Sequence, residues 1–427
     1  MSLAIDRPGA GRARQAGGSR PAPAANAPAA PPPDRPTQSP AAARILPLPG
    51  GLDQVQVLSS NHPEIVVGTG ISISTLPLAG EAHLPHAFQG DFEIFAHHQN
   101  RSGGKLYQAV LLHNPGPGPI TVDVGTSASY DTASAMYLDL HFLKVGKGPL
   151  SRLSSGPGAR TAGAILRGEG NLPRRQVVIP PGAHHVLHTR SFLPFNELTS
   201  QFRLKASGPV HAAVLFDRRE PTAESAAAML AAGTRLVRTQ SDPPATDGRY
   251  GRVGGVQVGA RWQGTLATDG APRYVLDGTP EERAYLIDGV MKNTQGTGQD
   301  QAAPLLQRYP TSAVRSHANY GVEYDLKVPL ENRSDRPQRV RFYMDSPTAG
   351  NAVFFRSFRG LLAFADQERG RTSYVQLGQQ PKERGATPLH EVVVPPGATR
   401  EVRVRLVYPA DATPPQVLRV VSGDPAA

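Results

Sequence analysis

Val110–Val124 reads VLLHNPGPGPITVDV and Val328–Phe342 reads VPLENRSDRPQRVRF. Each stretch sets apolar residues at alternate positions, then an Asn (Asn114, Asn332), a Pro five residues on (Pro119, Pro337), and alternation again. Period-two alternation marks a strand with one buried face. Downstream, VVIPPGA from Val177 matches VVVPPGA from Val392 at six of seven positions. Two copies of one supersecondary plan predict domains in tandem. In each copy the Asn and its Pro/Gly segment read as a hairpin-like turn. Pro-Pro-Gly breaks the ladder and feeds the next strand at an angle, as strands that switch between packed sheets require.

Outside the two copies the pattern persists. QVQVL at 54–58, EIVVGTGISIST at 64–75 and FQGDFEIFAHH at 88–98 are short alternating runs bounded by Gly, Pro or Asn, each predicted as a strand with its turn. With 44 Gly and 42 Pro in 427 residues, many short strands are expected and a mainly helical fold is not. Length alone allows two or three cores.

The predicted fold is all-β: two tandem antiparallel β-sandwich domains of immunoglobulin-like type, 44–218 and 250–427. Neither a Cys…Trp…Cys frame nor a tyrosine corner is present, so the topology stays open. Residues 1–43, rich in Pro, Ala and Arg, cannot bury enough surface to offset ordering and are expected to be a disordered tail. Residues 219–249 are read as helix and linker. In PTAESAAAMLAAG (221–233), Thr222 can cap, Ala dominates and Gly233 sits where a left-handed C-cap belongs. SDPPATDG (241–248) follows as linker. A short helical signal lies at Thr279, where Thr-Pro-Glu-Glu places Pro first and Glu282 in the capping-box position.

Composition also removes chemistry. The chain has no Cys, hence no disulfide framework, thiolate nucleophile, Cys-ligated zinc or iron–sulfur cluster. There is no G-x-S-x-G elbow, phosphate loop, H-E-x-x-H or EF-hand spacing. Gly251–Gly259 lies between strand signals with no following helix, and bulges or tight sheet packing explain its glycines. The net charge is +10, of which the tail supplies +3 from five Arg against two Asp. In RVRF (339–342) and REVRVRL (400–406) basic and apolar residues alternate, which directs the Arg side chains to the solvent face of strands. No basic run with interleaved aromatics marks a nucleic-acid site. Trp262 lies in a strand pattern and is predicted to be core.

RILPLPGGLDQVQVLSSNHPEIVV, FEIFAHH, LLHNP…PITVDV, SGPVHAAVLF, GRVGGVQVGARW, GTGQDQAAPLLQRYP, HANYGVEYDLKVPLENRS and ATPPQVLRV resemble, in that order, a family of cyanobacterial proteins known as domain of unknown function 3370. The resemblance runs from Arg44 nearly to the end. It implies no activity, cofactor or catalytic residue. It does imply export to the cell envelope or periplasm, behind a short apolar signal. No run of seven or more apolar residues follows the early basic residues here, and no run of about 20 could span a membrane.

Candidate polar groups cluster at two places. Glu93 precedes His97 and His98 at a strand end, and Arg315, His317, Asn319 and Tyr320 sit together just before a strand; loops and strand ends are where binding groups collect. Adjacent histidines in a strand point to opposite faces, so His97 and His98 are not expected to chelate one metal. Surface or hydrogen-bonded core histidine, and a structural turn at Asn319 and Tyr320, are the plainer readings. The leading expectation is a non-enzymatic structural or interaction protein of the envelope, with no cofactor and no nucleic-acid partner. The alternative is a binding protein for an anionic glycan or envelope polymer, using the Arg-bearing strand faces. A hydrolase would need Glu93, His97 and His317 to converge.

Overall fold

The computed structural model describes residues 44–135, 143–145, 156–237, 239, 251–290, 294–345, 347, 358–368, 370–378 and 387–423. The expected tail at 1–43 and linker at 241–248 lie outside them.

The chain after Asn114 does not form a hairpin. Leu106–His113, before it, pairs with His184–Phe192 and with the far end of Glu197–Asp217. Ile120–Asp131, after it, pairs with Arg175–Ile179 and with the near end of that long strand. The second copy repeats the plan. Glu323–Asn332 pairs with Thr399–Val407, whereas Gln338–Asp345 pairs with His390–Val394 and Gln416–Ser422. The Asn segment is therefore an arch, and Pro-Pro-Gly carries the chain back.

The alternation explains why. Val110 and Leu112 share a buried core with Ile120, Val122 and Val124, as Val328 and Leu330 do with Val340 and Phe342. A hairpin would set these strands side by side; here their apolar faces meet across a core.

Asn114 ties both crossings together. Its amide donates to Gly118 O (2.8 Å) and Ile179 O (2.9 Å), and its Oδ1 accepts from Gly116 N–H (2.8 Å). Asn332 donates to Arg336 O (2.8 Å) and Val394 O (2.9 Å) and accepts from Ser334 N–H (2.9 Å). Ile179 and Val394 are the residues just before Pro-Pro-Gly. A third Asn does likewise: Asn100 donates to Gly104 O and Phe192 O and accepts from Ser102 N–H. All three are fully buried.

The two largest cores follow the two copies, yet the halves exchange strands, and contacts join 40–427 into one unit. Gln56–Ser60 lies between Phe92–Ala96 of the first half and Gly254–Val258 of the second. Gly51–Leu52 and Ile45–Leu46 pair with Arg261–Thr265 and with Ala284 and Tyr285. Several of these pairings are parallel, unlike the purely antiparallel sheets expected. The reason is that the amino-terminal segment and the strands of the seam enter beside non-consecutive partners. Gly255 is required by the seam, since a Cβ there would lie 2.3 Å from Gln307 O.

The helix expected near Thr222 spans Ala223–Ala232, with Thr222 Oγ1 accepting from Ser225 N–H and Gly233 closing it at φ 64°. A second helix, Pro157–Arg167, was not expected. Its signals were present: Pro157 occupies the first turn, and Gly168 is the left-handed cap at φ 70°. Small residues along it let it nest against Ala128 of one half and Leu361, Ala363 and Val407 of the other. Asp411 accepts from Ala159 N–H at its start and Arg405 donates to Leu166 O at its end, matching the helix dipole. The signal at Thr279 yields a strand instead, Glu281–Ile287, paired along its length with Gln416–Ser422. Ladder pairing and burial of Tyr285 and Ile287 outweigh a local cap preference.

Trp262 is core, 6% exposed, with Nε1 donating to Pro49 O. Among the described residues no helix is long and apolar enough to cross a membrane.

Candidate functional site

Glu93 faces Arg203 directly across one strand pair, and Glu323 faces Arg261 across another, in a different sheet. The seam brings these two pairs together. Arg203 Nε donates to Glu93 Oε1 at 3.1 Å and its Nη2 to Glu323 Oε2 at 2.7 Å. Arg261 lies 3.9 Å from Glu93 and 3.5 Å from Glu323, and Arg405 Nε lies 2.9 Å from Glu323 Oε1. Gln201 donates to both Glu93 Oε2 and Gly321 O at 2.9 Å. Both carboxylates are about 96% buried or more.

Burial pushes the Glu93 carboxyl up, against the pull of Arg203, Gln201 and Arg261. Burial acts to lower Arg203, but Glu93 and Glu323 overcome it, and the guanidinium is held above its ordinary range. The cluster is two buried carboxylates flanked by three guanidiniums whose side chains are 21–35% exposed, joined by charge-assisted bonds. That composition locks strands together.

His97 and His98 take separate partners, as adjacent strand residues must. His97 Nδ1 bonds Thr199 Oγ1 at 2.8 Å. His98 bonds Ser60 Oγ at 3.0 Å and Pro63 O at 2.9 Å, with its ring edge-on to Phe216. Burial drives both imidazoles down to about 3, so both are neutral at ordinary pH.

The second cluster disperses. Arg315 is exposed, with its backbone paired to Pro304. Asn319, at φ 42°, accepts from Ala303 N–H and donates to Gln301 O and Tyr324 Oη. Tyr320 Oη donates to Ala412 O at 3.2 Å. His317 borders a space of about 10 Å³ with Ser59, Asn61, Phe95 and Tyr320, roughly one water in size. Asp288 carries no signal in the sequence. It is fully buried and accepts from Tyr324 Oη at 3.2 Å, and burial holds its carboxyl well above the usual range. A lone Asp after a strand carries no signal that Tyr324 and Asn319 will meet it.

The arginine-bearing faces lie open in part, as expected, with the Arg339 and Arg403 side chains 48% and 42% exposed, whereas Arg341 and Arg400 are largely covered. Arg400 pairs with Asp366, Arg403 with Asp325, Arg341 with Glu391 and Arg419 with Asp345; Arg400 is 9% exposed. Acidic residues of neighbouring strands, distant in sequence, neutralise them. Among the described residues no three His, Cys, Asp or Glu side chains converge as metal ligands.

The model of a family of proteins of unknown function, DUF3370, matches residues 43–422. The chain belongs to that family. No curated protein matches it. Among solved structures, the N-terminal CBM22-1-CBM22-2 tandem domain from Paenibacillus barcinonensis Xyn10C shares 9% identity. The match covers 85% of this chain and 92% of that one, with a TM-score of 0.14. At that score the likeness carries no argument about fold or ligand.

Proposed function

We propose that this DUF3370 protein is a non-enzymatic structural or interaction module of the cell envelope. It consists of two immunoglobulin-like β-sandwiches in tandem, locked into one body that presents loops and sheet edges to a partner. The observation that carries this reading is the bridge from Glu93 through Arg203 to Glu323, which spends the most suggestive polar residues of the chain on joining the halves. The hydrogen bonds of His97, His98, Asn319 and Tyr320 support it, each being satisfied within the chain.

Fractionation of native cells, with mass spectrometry of the mature amino terminus, tests the location. Recovery in the envelope fraction is expected; recovery in the cytosol with Met1 intact would overturn it. A second reading, binding of an anionic polymer, is favoured by one feature. An open groove of about 300 Å³ is lined by Arg336, Gln338 and Arg339, and the Arg336 guanidinium donates there to Gly278 O. Binding of polyglucuronate that collapses as salt rises would support it.

A further inference from the structure

Phe195 is the most exposed large apolar residue among those described, at 70%, with Leu193 (56%) two residues before it and Val67 (50%) on the far side of the Asn100–Arg101 backbone. Its backbone is left-handed, φ 67°, an outlying conformation for a bulky side chain that persists only where the surroundings impose it. Several groups impose it here. Phe195 N–H donates to Asn100 O (2.8 Å), Asn196 N–H to Leu193 O (3.1 Å), and the buried Asn100 amide to Phe192 O (3.0 Å). The Arg101 guanidinium lies 4.7 Å from the centre of the ring. Arg101 N–H donates to Val66 O (2.8 Å), which sets Val67 across Arg101 from Phe195. The fold thus holds an aromatic side chain outward at a conformational cost, where a relaxed loop would turn it in.

The surround is cationic. Lys105 lies 4.8 Å from the Tyr107 ring centre and Arg218 donates to Ser102 O. Among the described residues, neither these two nor Arg101 forms a carboxylate ion pair. Of the nearby acids, Glu64 pairs with Arg252, Asp131 with Arg190, and Asp217 Oδ1 accepts from the Arg218 and Arg219 backbone, while the half-buried Glu197 feels the Arg101 charge without an ion pair to it.

We propose that the Leu193–Asn196 loop docks this protein onto an anionic lipid surface. Leu193, Phe195 and Val67 enter the headgroup boundary, and Arg101, Lys105 and Arg218 meet the lipid phosphates. Apolar side chains ringed by basic ones suit an interface whose surface is negative and whose interior is apolar. Three apolar side chains fall short of the roughly 800 Å² per partner that a stable protein interface buries.

The test is sedimentation of the purified full chain with vesicles of equimolar phosphatidylglycerol and phosphatidylcholine, and with vesicles of phosphatidylcholine alone. Phe195→Asn is the informative variant, because Asn accepts the left-handed backbone. We expect it to melt at or above the wild-type temperature and to bind anionic vesicles at least about tenfold more weakly. Wild-type binding should fall similarly on phosphatidylcholine alone and as salt rises. Wild type left in the supernatant, equal binding by Phe195→Asn, or equal binding to both vesicles would overturn the proposal. So would a dimer in vesicle-free solution that Phe195→Asn dissociates, which assigns the loop to a second copy. The inference rests on the surface-interaction reading; envelope recovery without vesicle binding would remove the loop's role and leave that reading standing.

Discussion

Glu93 and Glu323 accept from the same guanidinium, that of Arg203, although 230 positions separate them in the chain. Replacing Arg203 by Met should cost about 3–5 kcal/mol, the usual penalty for leaving one side of a buried ion pair. The loss should depend on pH. Without Arg203, burial holds the Glu93 carboxyl further above its ordinary range. An acid raised in the folded state costs stability while ionised, and the cost is relieved as pH falls through the folded value. Guanidinium denaturation should therefore show a larger loss at pH ~8 than at pH ~5. Equal losses would mean that Arg203 acts by packing alone.

Asn114 and Asn332 occupy equivalent arches and make equivalent bonds, so their deletion should be felt alike. Asn114→Ala strands three carbonyls and an N–H, and Asn332→Ala two carbonyls and an N–H, each at a cost of about 2–4 kcal/mol. Asn→Asp removes the donors and should cost as much. Urea midpoints check this, and a silent Asn114→Ala would show that the arch is held by its prolines.

His97 and His98 make the fold acid-sensitive. Each is a base whose folded pKa, about 3, lies below its unfolded value. Stability is complete above pH ~6.5 and is lost as pH falls toward ~3, because the unfolded chain takes up the protons first. By pH ~5 each histidine should have cost about 2 kcal/mol. His97→Gln should flatten the fall in denaturation midpoint between pH ~7 and ~5; an unchanged slope would assign the sensitivity to other groups.

The helix Ala223–Ala232 depends on its ends. Thr222→Ala should cost about 1 kcal/mol through the lost N-cap, and Gly233→Ala about 1–2 kcal/mol because φ 64° strains any Cβ. Ala226 and Leu230 pack this helix on Ile71, Leu111 and Leu215, so melting should report both losses, and neither should alter binding at Phe195.

What the sequence determined by itself was local: alternating apolar residues, the paired Asn and Pro-Pro-Gly marks, and the cap at Thr222. Each is written in consecutive residues and resolved by short-range geometry, so the strands, the crossing at Pro-Pro-Gly and the helix Ala223–Ala232 were legible. Tertiary structure alone decided that the Asn segment is an arch, because a hairpin and an arch share one alternation and differ only in whether the apolar faces lie side by side or face to face. It also decided that Glu281–Ile287 is a strand, through pairing with Gln416–Ser422, and that Pro157–Arg167 fits between the halves. The polar residues were visible as types, and Glu93 was singled out without its partners. Arg203 meets it across their own strand pair, 110 positions away, and Glu323 with its partner Arg405 joins them only through the seam, since in a sheet the partner of a charge is set by register and strand order, which no local pattern records.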